Sequence, residues 1–259
     1  YQALSEEPKI MNLSLGKVSE LDILKDAAFI IFTSGSTGEP KGVVVSHQAF
    51  IAKLYEIDKL LAFNDQDRLL LVLNINFVFG LWLAILTLLK GGVVDLHEKF
   101  NAEEFIHGLA ENKITRVGVV PTMMRVIFSK PELVAQIEEK INMGYLKQIL
   151  IGGESLGISV AMKLRKEFSK TELIDIYGST ETASCDFFSF PDNFSKYPGS
   201  IGKPAGGVTY RIVDSRNEPV EAGEEGELQI CSPYLMSGYL GDAELTQKAF
   251  SSEWFKTGD

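Results

Sequence analysis

Through the first 181 of the chain's 259 residues, short runs of Val, Ile and Leu alternate with stretches whose apolar residues recur at helical spacing. "AAFIIFT" (27–33), "RLLLVL" (68–73), "GVVDL" (92–96), "RVGVV" (116–120), "LKQILIGG" (146–153) and "ELIDIYG" (172–178) have the length and composition of strands. Between them the pattern predicts helices over 47–62, 80–89, 101–113, from Pro121, 132–141 and 157–168. In the first, Ile51, Leu54, Ile57, Leu60 and Leu61 are expected to share the buried face. Strand–helix alternation of this kind builds a mostly parallel sheet flanked by helices on both faces. The rhythm changes after Thr182: "ASCDFFSF", "GVTYRIVD" and "GELQICS" are short strands without long helices between them. An α/β core over 1–182 and a smaller antiparallel β unit over 183–259 are therefore expected.

One apolar stretch competes for a membrane assignment. Leu69 to Leu89 holds 21 residues without a charge, long enough to span a bilayer. Asn74, Asn76 and Gly80 interrupt it, so a buried strand, a short loop and a buried helix fit better, and no membrane span is expected. A net charge of −10 without a basic stripe argues against nucleic acid as a partner. Cys185 and Cys231 stand far apart without a CxxC or a histidine pair, and read as reduced thiols of a cytoplasmic protein.

The least packable stretch lies directly after the first strand, which the pattern predicts to be buried. "TSGSTGEPKG" (33–42) lines up Thr33, Ser34, Ser36 and Thr37 hydroxyls, Gly35 and Gly38, Pro40 and Lys41. A strand feeding such a turn gathers backbone N–H groups into an anion-binding concavity, and Lys41 adds a mobile positive charge. The glycines allow close backbone approach. A Walker A loop is excluded, because Pro40 and Gly42 stand where its second glycine and its Ser/Thr belong; a dinucleotide GxGxxG fails at Thr37. The stretch is read as a polyphosphate cradle.

"FTSGSTGEPKG" resembles the phosphate-loop signature of the adenylate-forming superfamily, which includes acyl-CoA synthetases, adenylation domains of nonribosomal peptide synthetases and beetle luciferases. "GGES" (152–155), "IYGSTET" (176–182), "GSIGKPAGG" (199–207), "GELQICSPYLMSGYL" (226–240) and "WFKTGD" (254–259) follow in the family's order. The resemblance covers nearly the whole chain from Ala27 onward. It implies ATP-dependent activation of a carboxylic acid to acyl-AMP, then transfer to the thiol of coenzyme A or of a carrier protein's phosphopantetheine. Magnesium and ATP are the implied cofactors, with the acid as substrate and a carrier protein as a possible partner.

The resemblance also assigns roles. Thr33 to Lys41 would hold the β- and γ-phosphates. Tyr177 would stack on adenine, with Gly153 and Glu154 on the other side, and Ser155, Ile176, Gly178 and Ser179 beside them. Asp175 would accept from the adenine amino group, where many relatives carry Asn. Thr180 would donate to the α-phosphate, Glu181 would hold Mg²⁺ with Thr33 nearby, and Asp259 would accept from the ribose hydroxyls. Lys41, Thr180 and Glu181 are the implied catalytic residues.

Phe77, Val78 and Gly152 fall at substrate-facing positions. Amino-acid-activating relatives place an Asp where Val78 stands, and an ammonium buried against valine would lose its hydration without a counter-charge. A fatty or aryl acid is thus favoured over an amino acid. An amino-acid-activating domain, a luciferase-like oxidase and a non-catalytic nucleotide-binding module are the alternatives. The resemblance further implies a long segment before the loop and a C-terminal lid with a lysine that reaches the α-phosphate. The chain is accordingly expected to be the central part of the nucleotide-binding core, lacking both.

Overall fold

A computed structural model describes residues 22–34, 39–142 and 144–259. After a single helical turn at Asp22–Leu24, the chain forms β1 (Ala27–Ser34), β2 (Pro40–Ser46), α1 (His47–Leu61), β3 (Arg68–Leu71), α2 (Val78–Leu89) and β4 (Val93–Leu96). Next come α3 (Ala102–Glu111), β5 (Arg116–Val119), α4 (Pro121–Phe128), α5 (Pro131–Gln136) with a wider turn at Ile137–Ile141, β6 (Gln148–Gly152) and α6 (Ile158–Glu167). The remainder holds β7 (Glu172–Ser179), β8 (Ser184–Ser189), α7 (Pro191–Lys196), β9 (Lys203–Pro204) and β10 (Thr209–Val213). It ends with β11 (Glu227–Cys231), β12 (Gly238–Tyr239), α8 (Ala243–Lys248), β13 (Phe250–Ser251) and β14 (Trp254–Lys256).

Seven strands form the main sheet, in the order β4-β3-β5-β6-β7-β8-β9. The first five are parallel, and β8 and β9 add antiparallel at one edge. Alternate residues feed two cores. Leu69, Leu71, Leu150, Ile174 and Ile176 face one side with Trp82 and Leu83 of α2. Leu70, Val117, Val119, Ile149 and Ile151 face the other with Phe105 of α3, Ile127 of α4 and Leu164 of α6. Both faces are covered, as a parallel sheet requires. The uncharged stretch 69–89 resolves into β3, a loop and the 12-residue α2, and no helix among the described residues is long and apolar enough to cross a membrane.

Three expectations need correction. First, β1 does not enter the parallel sheet and is not buried. It pairs antiparallel with β2 in a three-stranded sheet, β1-β2-β12, with only Ile31 buried and Phe32 61% exposed. Thr33 faces Lys41 and Ser34 faces Pro40 in register, so β1 and β2 form a hairpin with these residues near its end. Secondly, the sheet boundary does not fall at 182/183: β8 and β9 complete the main sheet, while β10-β11-β14-β13 forms a separate four-stranded antiparallel sheet. Thirdly, Ile51 and Leu60 of α1 are exposed, and the buried face is Ala49, Phe50, Lys53, Leu54, Ile57 and Leu61.

Lys53 is the reason the third face was misjudged. Its ammonium is fully buried, 2.7 Å from Asp186 Oδ1 on β8, and donates to the Cys185 carbonyl at 3.0 Å. The Tyr234 ring lies 4.7 Å from it. Burial pushes the Asp186 carboxyl up, against the opposing pull of the lysine. The pair pins α1 to β8. Replacing one partner strands a buried charge, so Lys53→Met is expected to cost about 3–5 kcal/mol of stability in urea unfolding, whereas Lys53→Met with Asp186→Leu recovers most of it.

Candidate active site

The parallel strands end on a common edge, the place where ligands bind to open α/β sheets. Two cavities open there. One, of about 730 Å³, is lined by 153–158 after β6, Asp175–Gly178 of β7, Phe194, Gly199, Ile201 and Asp259. The other, of about 380 Å³, lies between Leu73, Asn74 and Phe77–Gly80 after β3, Val120 after β5, and Ser179, Thr180, Ser184 and Cys185. Gly153, Ile176 and Gly178 line both, so the two cavities adjoin across the end of β7.

Close backbone packing makes this junction. A Cβ on Gly152 would lie 2.5 Å from the Ile176 carbonyl oxygen, and one on Gly178 would lie 1.8 Å from that of Ser184. Either substitution would push apart the strands that form the floor. The β7–β8 turn itself is strained: Ala183 has φ +57° and the buried Ser184 φ +123°, a region that side chains rarely adopt. Thr182, fully buried, holds the turn by accepting from the Ser179 N–H at 3.2 Å and lying 3.1 Å from the Ser179 and Ser184 carbonyls. Thr180 and Glu181 ride on this turn.

In the larger cavity the Tyr177 hydroxyl donates to Asp259 Oδ2 at 2.7 Å, closing one wall. Burial, with that bond, holds the phenol well above its ordinary range, so it stays protonated. Its ring meets Phe187 edge-on at 5.9 Å. Glu154 is held from outside the cavity: Thr122 Oγ1 donates to Oε1 at 2.5 Å and Arg125 reaches Oε2 at 3.1 Å. The Thr122 bond first, then Arg125, draws its carboxyl below the usual range. The wall it offers the cavity is thereby fixed in place.

The hairpin end of the site is built differently. Lys41 Nζ stands 5.7 Å from the Tyr239 ring centroid, and the Tyr239 hydroxyl donates to Glu181 Oε1 at 3.1 Å. Burial and the neighbouring Glu181 carboxylate hold that phenol far above its ordinary range as well. Lys41 and Glu181 thus share one neighbour, although they come from different sheets. Among the described residues no group of three or more His, Cys, Asp or Glu could hold a metal alone. A lone carboxylate with a free oxygen fits Mg²⁺, which usually binds through one or two carboxylates plus substrate phosphates.

Of the expected site residues, Gly153, Glu154, Ser155, Asp175, Ile176, Tyr177, Gly178 and Asp259 line the larger cavity. Phe77, Val78, Ser179 and Thr180 line the smaller, with Phe77 at its exposed mouth. Gly152 lines neither and serves the β6–β7 approach. Thr33, Ser34 and Lys41 sit at the hairpin end, and Gly35, Ser36, Thr37 and Gly38 lie outside the described residues. Sequence reasoning assigned no role to Asn74, Phe79, Ser184, Thr122, Arg125 or Tyr239. Tyr239 was within reach, since "GELQICSPYLMSGYL" carries it.

The chain belongs to the AMP-binding enzyme family, whose model matches residues 4–240. It is 29% identical over 252 residues to 2-succinylbenzoate–CoA ligase of Bacillus licheniformis, covering 96% of this chain and 50% of that protein. It is 28% identical over 270 residues to surfactin synthase subunit 2 of Bacillus subtilis, covering 98% of this chain and 7% of the synthase. The fold matches o-succinylbenzoate coenzyme A synthetase from Bacillus subtilis in complex with ATP and magnesium ion. There the TM-score is 0.77 and identity 26%, over 89% of this chain and 46% of that one. The chain thus spans about half the length of the ligase relative, and that family is adenylate-forming.

Asp175 gives the cavity a pH signature. Burial raises its carboxyl to about 6. The folded state therefore holds this proton more tightly than the unfolded chain, and stability falls as pH rises from about 4 to 6. Asp175→Asn is expected to gain about 1–3 kcal/mol at pH 7.5 and nothing at pH 4. Thermal unfolding at the two pH values checks it; an equal gain at both would contradict the burial argument.

Proposed function

We propose that this chain is the nucleotide-binding core of an adenylate-forming ligase that activates a carboxylic acid with ATP. One observation carries the reading: a cavity of nucleotide size and a smaller apolar one adjoin at Gly153, Ile176 and Gly178, with Thr180 on the rim of the smaller. An adenosine in the first and an acyl group in the second would bring the α-phosphate and the carboxylate together beside Thr180.

The reaction displaces pyrophosphate. A carboxylate oxygen bonds to the α-phosphorus, the bond from that phosphorus to the bridging oxygen breaks, and pyrophosphate leaves with the electron pair. The protein's task is positioning and charge stabilisation. Tyr177 and the 153–155 backbone would hold adenine, and Asp175 would accept from its amino group. Asp259 Oδ1 stays available for the ribose hydroxyls while Oδ2 holds Tyr177. Thr180 would donate to the α-phosphate, and Lys41 with the hairpin loop 33–42 would take the leaving pyrophosphate. Magnesium held by Glu181 and Thr33 would neutralise phosphate charge. The sulfur of a thiol, that of coenzyme A or of a carrier protein's phosphopantetheine, would then bond to the acyl carbon as its proton is lost to solvent, the bond from that carbon to the phosphate oxygen would break, and AMP would leave with the electron pair. A supply of ATP and coenzyme A suits the cytoplasm.

The smaller cavity supports an acid with an apolar tail, fatty or aryl. Among the described residues no charged side chain lines it, so an α-ammonium or a second carboxylate would be buried there without a partner. Similarity to surfactin synthase favours an amino-acid substrate instead, but an acidic partner for the ammonium is missing from the described lining. Pyrophosphate exchange across a panel of benzoic, cinnamic, medium-chain and amino acids tests the assignment. Exchange is expected with neutral-tailed acids and to fall by about 10²-fold in Lys41→Met. Exchange with amino acids alone would overturn the substrate reading, and nucleotide binding without exchange would favour the non-catalytic module.

A further inference from the structure

Residues 236–240 hydrogen-bond to two separate parts of the molecule, β2 and the β7–β8 turn. On one side Ser237 N–H donates to the Val44 carbonyl at 2.8 Å and Leu240 N–H to that of Gly42 at 2.7 Å, tying the segment to β2. On the other, Met236 N–H donates to the Glu181 carbonyl at 2.7 Å. Tyr239 stands between. It pairs in register with Val43, and its N–H donates to Thr246 Oγ1 at 2.9 Å. With only 7% of its surface exposed, the ring lies beside Lys41 and its hydroxyl reaches Glu181.

We propose that Tyr239 is a positioning residue that aims the Glu181 carboxylate at the divalent cation accompanying the triphosphate and steadies Lys41 beside it. The inference rests on the ligase reading above. A free glutamate side chain spends its ordering entropy at the moment of metal binding. A hydroxyl anchored in a buried ring removes part of that cost by fixing Oε1 beforehand. Among the described residues Glu181 Oε2 receives no hydrogen bond, so it remains open to a cation. The same ring keeps the Lys41 ammonium near the phosphates through its face.

The two functions separate by substitution. Tyr239→Phe keeps the ring and loses the hydroxyl; Tyr239→Leu loses both. Mn²⁺, a spectroscopic stand-in for Mg²⁺, is titrated by electron paramagnetic resonance into each protein saturated with ATP. ATP affinity is measured separately in EDTA by calorimetry, and thermal unfolding checks that each variant is folded. Tyr239→Phe is expected to weaken Mn²⁺ binding by about 10–100-fold, the size of one lost charge-assisted hydrogen bond, and to leave metal-free ATP affinity within about twofold. Tyr239→Leu is expected to weaken both.

Unchanged Mn²⁺ affinity in Tyr239→Phe would overturn the proposal. So would an equal loss with and without metal, since that is the mark of a merely structural ring. If the unsubstituted protein binds no ATP, the ligase reading fails first and this inference with it. ATP binding with an unaltered Tyr239→Phe metal titration sinks the inference alone.

Discussion

The site depends on one constraint: Lys41 of the β1–β2 hairpin and Glu181 of the β7–β8 turn, from separate parts of the fold, are held against one neighbour, Tyr239. Here that constraint falls on three backbone hydrogen bonds from Met236, Ser237 and Leu240, which clamp the β1–β2 hairpin to the β7–β8 turn. They act together with Val43 and Val45 of β2, which pack in the core shared with β7 and β8, to fix the hairpin relative to Glu181. With them, Lys41, Tyr239 and Glu181 form one chain of contacts. The geometry is preorganised, which is where enzymes of this electrostatic type gain most.

Several local features oppose stability at this edge, and the core compensates for them. Ser184 adopts a backbone region that costs of order 1–3 kcal/mol, and Asp175 is half-buried with no cationic partner among the described residues. The strained turn is tied directly to the Lys53–Asp186 pair through the Cys185 carbonyl, and α1 packs its buried face over the same strands. Strain concentrated on the ligand-facing turn, with a rigid support immediately behind it, is the arrangement expected of a site whose groups must not relax.

Much of this was legible in the sequence. Short apolar runs and helical apolar spacing marked the parallel strands and their covering helices, and the motifs at the ends of β6 and β7 marked residues that do line the larger cavity. Three things were not legible, each for a physical reason. Alternation shows that a segment is a strand but not what it pairs with, so β1 was assigned to the wrong sheet and β8 was separated from its neighbour β7. A buried lysine breaks an apolar stripe, and its partner Asp186 lies 133 positions away, so α1 was rotated. Tyr239 matters only through Glu181, 58 positions earlier, a relation that exists only once β12 has found β2.

The most direct measurement is hydrogen exchange of the protein with and without ATP and magnesium, read by mass spectrometry over short peptides. Slowed exchange should be confined to the hairpin around 33–45, the 152–158 segment, and 175–184. Protection located elsewhere, or in 152–158 without the hairpin, would contradict the claim that the hairpin tip and the β7–β8 turn close on one nucleotide.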